Sequence, residues 1–164
     1  MATDLTLVTA TPTIDTAVYG NLDRIGSVMT FTAMGQANGG SGFIVGATLE
    51  DDALSNFSIE LWLFRNSPTM VGADNAAFDL TDANYATADA VGVIRFDLST
   101  SWTRAATGRT TPGMNVVSPL GSAPMAYKCA AGDDDLYGVM KALGAYDAAA
   151  TDDITIKLWA LRLS

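Results

Sequence analysis

The side chains of this chain that could do chemistry are almost all carboxylates. Its 164 residues include 18 acids, one cysteine and no histidine. Without histidine the chain cannot use Ser-His-Asp or Cys-His catalysis, His-ligated zinc or imidazole acid–base chemistry. No glycine-rich phosphate loop follows a predicted strand, and a single cysteine rules out a CxxC motif. The common routes to enzymatic catalysis are therefore closed, apart from those that need carboxylates alone.

The acids cluster where the chain is predicted to turn, in two pairs and one triplet: Asp51 and Asp52, Asp133 to Asp135, and Asp152 and Asp153. These clusters lack the spaced DxDxDG pattern of a calcium loop, so solvated turn carboxylates are the favoured interpretation, with a calcium site as the alternative. The same holds for three acids in the segment between the first pair and the triplet: Asp74, Asp79 and Asp82. A glycosidase would need a carboxylate pair, but the spacing of the only glutamates, Glu50 and Glu60, does not identify one. We therefore expect no catalytic, cofactor-binding or metal-binding residue, and no enzyme.

The charge balance is strongly acidic, since 18 acids and 9 bases give a net charge of −9. Such a surface repels polyanions, so we expect neither nucleic acid nor an anionic membrane as a partner. No Lys or Arg precedes Arg24, unlike in a secretory signal, and no run of 18 apolar residues occurs. We expect a soluble protein made in the cytoplasm. The cysteine, Cys129, lies in the apolar run AYKCAA, which predicts a buried thiol rather than a reactive one.

Short runs of alternating apolar and polar residues, separated by Gly, Asp, Asn and Pro, are typical of an all-β sandwich or barrel. Eight runs predict strands, lettered B to I in chain order: residues 24–32, 42–50, 57–65, 91–98, 113–118, 124–130, 136–143 and 153–163. Eight strands commonly form a jelly roll, in which two four-stranded sheets pack face to face. We predict an all-β, eight-stranded, jelly-roll-like sandwich that forms a single domain over residues 24–164.

Two segments lie outside this alternation. Residues 1–23 contain six threonines and no compact hydrophobic pattern, which predicts an extended N-terminal arm. The arm could lie on a neighbouring subunit or form an edge strand on its own domain, and the sequence leaves both alternatives open. Residues 66–90 predict a long crossover, in which LTDANYATADA could form a short helix capped by Thr81 or Asp82.

One phrase occurs almost twice, as SIELWLFR at residues 58–65 and as TIKLWALR at residues 155–162. With this lettering the two phrases are strands D and I, which a jelly roll places as antiparallel neighbours in one sheet. Alternation assigns two aliphatic sets to the core: Ile59, Leu61 and Leu63, and Ile156, Leu158 and Ala160. The outward set is Glu60, Trp62, Phe64, Lys157, Trp159 and Leu161.

These six outward residues would form an apolar face of a size that monomers seldom leave exposed. Within it, Glu60 and Lys157 could form a cross-strand ion pair if the register allows. The cover could be the chain's own arm or crossover, or it could be a subunit or partner, since Trp residues usually dominate the energetics of interfaces. We take these six residues as candidate interface residues.

Several phrases carry a resemblance to a known family, in the same order along residues 39–163. They are GGSGFIVGATLEDD, IELWLFRNSPT, DNAAFDLTDAN, VGVIRF, LYGVMKALGAY and DDITIKLWALRL. Together they resemble the small capsid decoration, or cement, proteins of tailed bacteriophages. The phrases are structural rather than catalytic.

The resemblance implies a jelly-roll-like β domain, often trimeric, that sits outside the major capsid protein and reinforces the shell, without an active site or cofactor. We therefore expect a structural virion protein on the outer surface of the capsid, a homotrimer whose partner is the major capsid protein. The alternative is a carbohydrate-binding or receptor-binding β-sandwich module. In such a module Trp62, Trp159 or Trp102 would stack on sugar rings.

Overall fold

A computed structural model describes residues 3–53, 57–97, 103–104, 109–112, 115–117 and 124–163 of the chain. The strands in this part are β1 (Thr3–Ala10), β2 (Arg24–Phe31), β3 (Ser41–Asp51), β4 (Ser58–Phe64), β5 (Ala90–Asp97), β6 (Thr103–Arg104), β7 (Arg109–Pro112), β8 (Asn115–Val117), β9 (Met125–Lys128), β10 (Leu136–Ala142) and β11 (Ile154–Leu163). The one helix within the described residues, α1, is Asp82–Ala88. No helix in this part of the chain is long and apolar enough to cross a membrane.

The strands form two antiparallel sheets that pack as a sandwich. The first sheet has the order β1-β11-β3-β9, and the short strands β7 and β6 continue it beside the other half of β3. The second sheet has the order β2-β10-β4-β5, with the short strand β8 beyond β5. Without the three short strands, two sheets of four strands remain. This arrangement confirms the predicted all-β, jelly-roll-like sandwich.

The N-terminal segment supplies the first of these strands. Residues Thr3–Ala10 pair along their whole length with β11, from Thr3 opposite Leu163 to Ala10 opposite Ile156. For these residues the edge-strand alternative therefore holds, and predicted strand B is the second strand of the sandwich, β2. Predicted strand F, residues 113–118, is represented in the described residues by β8, and its remaining residues lie outside them.

The prediction that strands D and I are neighbours is wrong. The phrase SIELWLFR forms β4 in the second sheet, between β10 and β5, whereas TIKLWALR lies in β11 of the first sheet, between β1 and β3. The two phrases still have similar surroundings, because each strand has a neighbour on both sides and buries its aliphatic face in the common core. Both aliphatic sets are buried as predicted: Ile59, Leu61 and Leu63, and Ile156, Leu158 and Ala160.

The long crossover at residues 66–90 packs on the outer face of the second sheet. Its helix α1 begins after the N-cap Thr81, whose hydroxyl accepts a hydrogen bond from the Asn84 N–H at 3.1 Å, so the predicted helix and one of its two predicted caps are confirmed. Apolar residues of the crossover join β4 and β10 in a second, smaller cluster around three buried residues, Phe64, Ala88 and Val139. The chain itself therefore covers this face of the sandwich.

Candidate functional site

The outer face of the first sheet carries apolar residues in adjacent rows. Leu161 of β11 lies between Leu5 of β1 and Phe43 of β3, and Trp159 lies opposite Leu7 in the next row. These positions point outward, because the residues that alternate with them on β3 and β11 are buried in the core. We refer to six residues as the open face: Leu5, Leu7, Phe43, Val45, Trp159 and Leu161.

The open face is exposed to solvent in the described structure. Leu5 is 57% exposed, Leu7 43% and Trp159 41%. Trp159 lies over Gly46, its register partner, so that a Cβ atom at Gly46 would come within 2.9 Å of the indole Cδ1. Glycine at this position therefore leaves room for the ring to lie against the sheet. A contiguous apolar surface of this kind marks an interaction site more often than scattered single residues do.

Negative charge is nearly absent from this face. Among the outward positions of β1, β3, β9 and β11, the one carboxylate is Glu50, and it forms an ion pair with Lys157. Lys128 adds a cation at one margin, and uncharged threonines occupy positions at the other: Thr9, Thr48 and Thr155. Since the chain contains 18 acids, the acids are concentrated elsewhere. An apolar partner suits this face better than an ionic one, because the cores of protein interfaces are depleted of charge.

Three of the predicted interface residues, Glu60, Trp62 and Phe64, lie on the opposite outer face, and the crossover packs on Trp62 and Phe64. Phe64 is fully buried, and the Trp62 ring packs against Phe78 with their centroids 5.4 Å apart. The Lys141 ammonium lies 5.2 Å from the centroid of the Trp62 ring. For Trp62, the chain's own crossover is therefore the cover. The prediction that Trp62 and Trp159 share one face is wrong, because the two indoles lie on opposite sides of the sandwich.

The ion pair predicted between Glu60 and Lys157 is also wrong, since each residue pairs within its own sheet. Lys141 on β10 approaches Glu60 to 2.5 Å, and Lys157 pairs with Glu50 on β3. Burial alone would raise the pKa of Glu60, but hydrogen bonds from Lys141 and Trp62 outweigh it and hold the pKa below its ordinary value. The two glutamates lie on opposite outer faces, which does not suit a hydrolytic carboxylate pair.

Two acids that were predicted to be solvated are buried instead. Asp51, at the end of β3, accepts a hydrogen bond from the Tyr146 hydroxyl at 3.0 Å. Asp153 accepts hydrogen bonds from the backbone N–H groups of Ala149 and Ala150 at 2.6 and 2.8 Å. Buried acids need such hydrogen-bond partners. Asp51 therefore holds the end of β3, and Asp153 holds the turn before β11.

The triplet at residues 133–135 is, within the described residues, the one group of three or more acids in which one carboxylate oxygen from each residue lies within 4.8 Å of the others. Hydrogen bonds from the protein already engage two of the acids. The Tyr137 hydroxyl donates to Asp133 at 2.6 Å, and the Ala33 N–H donates to Asp135 at 2.9 Å. The hydrogen bond from Tyr137 holds the pKa of Asp133 below its ordinary value. A role in fixing this turn accounts for the arrangement.

The thiol of Cys129 lies beside the same turn and is buried, as predicted. It donates a hydrogen bond to the Asp134 carbonyl at 3.3 Å. Burial, reinforced by the nearby carboxylates, raises its pKa to about 11. The thiol therefore stays protonated and unreactive near neutral pH.

Sequence reasoning missed four residues of the open face: Leu5, Leu7, Phe43 and Val45. The signal was present in β3, where GFIV is apolar at both parities and so predicts a strand with two apolar faces.

Trp102, the third Trp of the glycan-binding alternative, lies outside the described residues. No protein-family model matches this chain, and no curated protein matches it. The open face is thus the feature on which a functional argument can be built.

Proposed function

We propose that this protein is a structural virion protein, a capsid decoration protein that binds the outside of a phage head through the open face. One observation carries the proposal: the second sheet is covered by the crossover, while the first sheet leaves a contiguous set of apolar side chains in solvent. Such a set usually has a partner. The phrases that resemble phage decoration proteins support the major capsid protein as that partner.

The open face would act by burying apolar surface against the shell. At partial exposure, six such side chains offer on the order of 500 Å². A stable interface buries about 800 Å² per partner, so the polar margins of the face or a second shell subunit must supply the rest. A homotrimer, which the resemblance implies, would present three such faces and so raise the effective concentration of each. Bridging adjacent shell subunits in this way would oppose their separation under internal pressure.

Two serine variants form a matched pair for testing the proposal. Trp159→Ser and Trp62→Ser each remove an indole from an outward position, but only Trp159 belongs to the open face. Cosedimentation with isolated capsids of the phage that encodes the protein measures binding, and thermal melting measures stability. We expect Trp159→Ser to weaken capsid binding by about 30-fold or more, as at an interface hot spot, with little change in Tm.

Trp62→Ser should show the reverse pattern, since it removes packing against Phe78 and Lys141. Its Tm should fall while the folded variant still cosediments with capsids. Undiminished capsid binding by Trp159→Ser, or no capsid binding by the unaltered protein, would contradict the proposal. A trimer would appear in light scattering as three times the 17.1 kDa chain mass.

Glycan binding is a second candidate function, and the exposure of Trp159 favours it. An exposed indole that lies over a glycine can stack on a sugar ring. Trp62 is unsuited to this role, because Phe78 and Lys141 already lie against its ring. A glycan-array signal that Trp159→Ser abolishes, without capsid binding by the unaltered protein, would favour this function over decoration.

A further inference from the structure

The edge strands of the two sheets differ in how their free sides are occupied. On β2, the edge of the second sheet, loops bond to the free side: the Ser27 N–H donates to the Thr13 carbonyl at 3.0 Å. The Arg24 N–H likewise donates to the Ala76 carbonyl at 2.8 Å. On β1, the edge of the first sheet, the described residues place a strand on one side alone, which is β11. As far as the described residues go, the other side of β1 is therefore available for pairing.

Strand β1 also has few of the features that usually protect an exposed edge. Proteins protect such edges with lysine, proline, a bulge, an inward-pointing charge or a very short strand. The sequence of β1, TDLTLVTA, has eight residues without Lys, Pro or Gly, and it pairs with β11 without a register shift. Its one charged residue, Asp4, occupies an inward position, but an ion pair with Arg162 neutralises it. An edge with these properties is a template for another strand.

The residue types at the outward positions of β1 form a palindrome. They are Thr3, Leu5, Leu7 and Thr9, placed symmetrically about Thr6. If two copies pair antiparallel about a two-fold axis at Thr6, Leu5 lies opposite Leu7 of the second copy, and Thr3 lies opposite Thr9. Apolar residues then meet apolar residues and hydroxyls meet hydroxyls, which are favourable cross-strand pairs. No two carboxylates meet, because Asp4 lies opposite Val8.

We propose that the free edge of β1 is a self-association site, at which two copies of this chain pair antiparallel about a two-fold axis at Thr6. The pairing joins the two first sheets into one continuous sheet, in which β1 of each copy lies between β11 of its own chain and β1 of the other. Residues opposite one another in an antiparallel pair point to the same side, so the two open faces become one surface of double width. The inference depends on the sheet edge alone and does not rest on the decoration function.

A single introduced cysteine tests this register, because Cys129, the only native one, is buried. In Thr6→Cys the two thiols face each other across the two-fold axis, with about 5 Å between their Cα atoms, which suits a disulfide. In the control, Thr9→Cys, the thiols lie about 20 Å apart along the strands. After mild oxidation we expect Thr6→Cys to run as a dimer on a non-reducing gel and Thr9→Cys to run as a monomer.

Light scattering of the unaltered protein gives a measurement that depends on neither variant. A two-fold pair requires an even number of copies. We expect a mass of twice the 17.1 kDa chain mass, or of six times that mass if the trimer of the decoration proposal also forms. A monomer or a trimer alone would overturn the inference, as would a dimer in which Thr6→Cys cross-links no better than Thr9→Cys. Capsid binding is scored separately, so the two proposals can fail independently.

Discussion

Raising the pH above about 10 should destabilise this protein steeply, because the unfolded chain then loses protons that the folded chain retains. The groups concerned are buried in the folded state: Tyr19, Tyr127, Tyr146 and Cys129. Burial raises the pKa of Tyr127 to about 12 and the pKa of Cys129 to about 11. The pKa values of Tyr19 and Tyr146 are also raised, again mainly by burial. For Tyr146, the nearby carboxylate of Asp51 reinforces the effect.

The size of the loss follows from the folded and unfolded pKa values. An unfolded tyrosine titrates near pH 10, so at about pH 11 it has ionised, while a buried tyrosine with a raised pKa has not. Each of the three tyrosines then favours unfolding by about 1 to 2 kcal/mol, and Cys129, with an unfolded pKa near 8.5, does so by about 3 kcal/mol. Together they remove about 7 kcal/mol between about pH 8 and pH 11. A typical domain is stable by about 5 to 15 kcal/mol, so unfolding near pH 11 is expected.

Urea denaturation at a series of pH values measures this loss, and tyrosinate absorbance reports when the tyrosines ionise. The variant Tyr146→Phe isolates one group: it should cost about 1 kcal/mol near neutral pH, through the lost hydrogen bond to Asp51, and should reduce the alkaline loss by about 1 to 2 kcal/mol. Tyr85→Phe is the control, because Tyr85 is 45% exposed. A free energy of unfolding that stays flat from about pH 8 to pH 11 would refute the reasoning.

Two further predictions concern the crossover and the surface beneath it. Thr81→Ala removes the cap that accepts the Asn84 N–H, so we expect a loss of about 1 kcal/mol and faster amide exchange in α1; unchanged exchange there would contradict the capping role. Lys141→Met removes the cation that helps hold the pKa of Glu60 low. Glu60 contributes stability above its unfolded pKa of about 4.3 and loses it as the pH falls. The variant should therefore be less stable near neutral pH and should lose less of its free energy of unfolding as the pH falls. Urea denaturation measures this, and a variant that loses as much stability in acid as the unaltered protein would contradict the prediction.

Most of the fold could be predicted from the sequence, because burial imposes a period of two on the residues of each strand. The strands β2, β5 and β11 begin and end within one residue of the predicted runs. Besides the short strands β6 and β7, the strand that the alternation did not reveal is β1. Its inner positions are Asp4, Thr6, Val8 and Ala10, of which Val8 alone is buried, while its leucines point outward. A strand that contributes so little to the core has no clear apolar side, so it could not be distinguished from an extended arm.

The candidate site could be predicted only in part, because alternation reports whether a face is apolar and not which strands adjoin it. Trp159 and Leu161 were identified as outward residues on an apolar face, and they belong to the open face. Their neighbours Leu5 and Phe43 come from β1 and β3, which are far away in sequence. Omitting β1 shifted the lettering of predicted strands B to E by one, and counting the short strand β8 as strand F left strands G to I with their proper letters. That shift is what placed Trp62 beside Trp159.

The repeated phrase shows why one face is open and the other is covered. Trp62 and Trp159 occupy matching positions in strands that have neighbours on both sides, so local sequence does not account for their different exposure. The connections do. The long crossover joins β4 to β5, which are adjacent in the second sheet, and so it folds over the outer face of that sheet and places Phe78 on Trp62. The connection that leads into β11 comes instead from β10, in the other sheet, and its Tyr146 and Ala148 are buried in the core. This connection is therefore used to cross between the sheets at the end of the sandwich, and Trp159 stays accessible to another molecule.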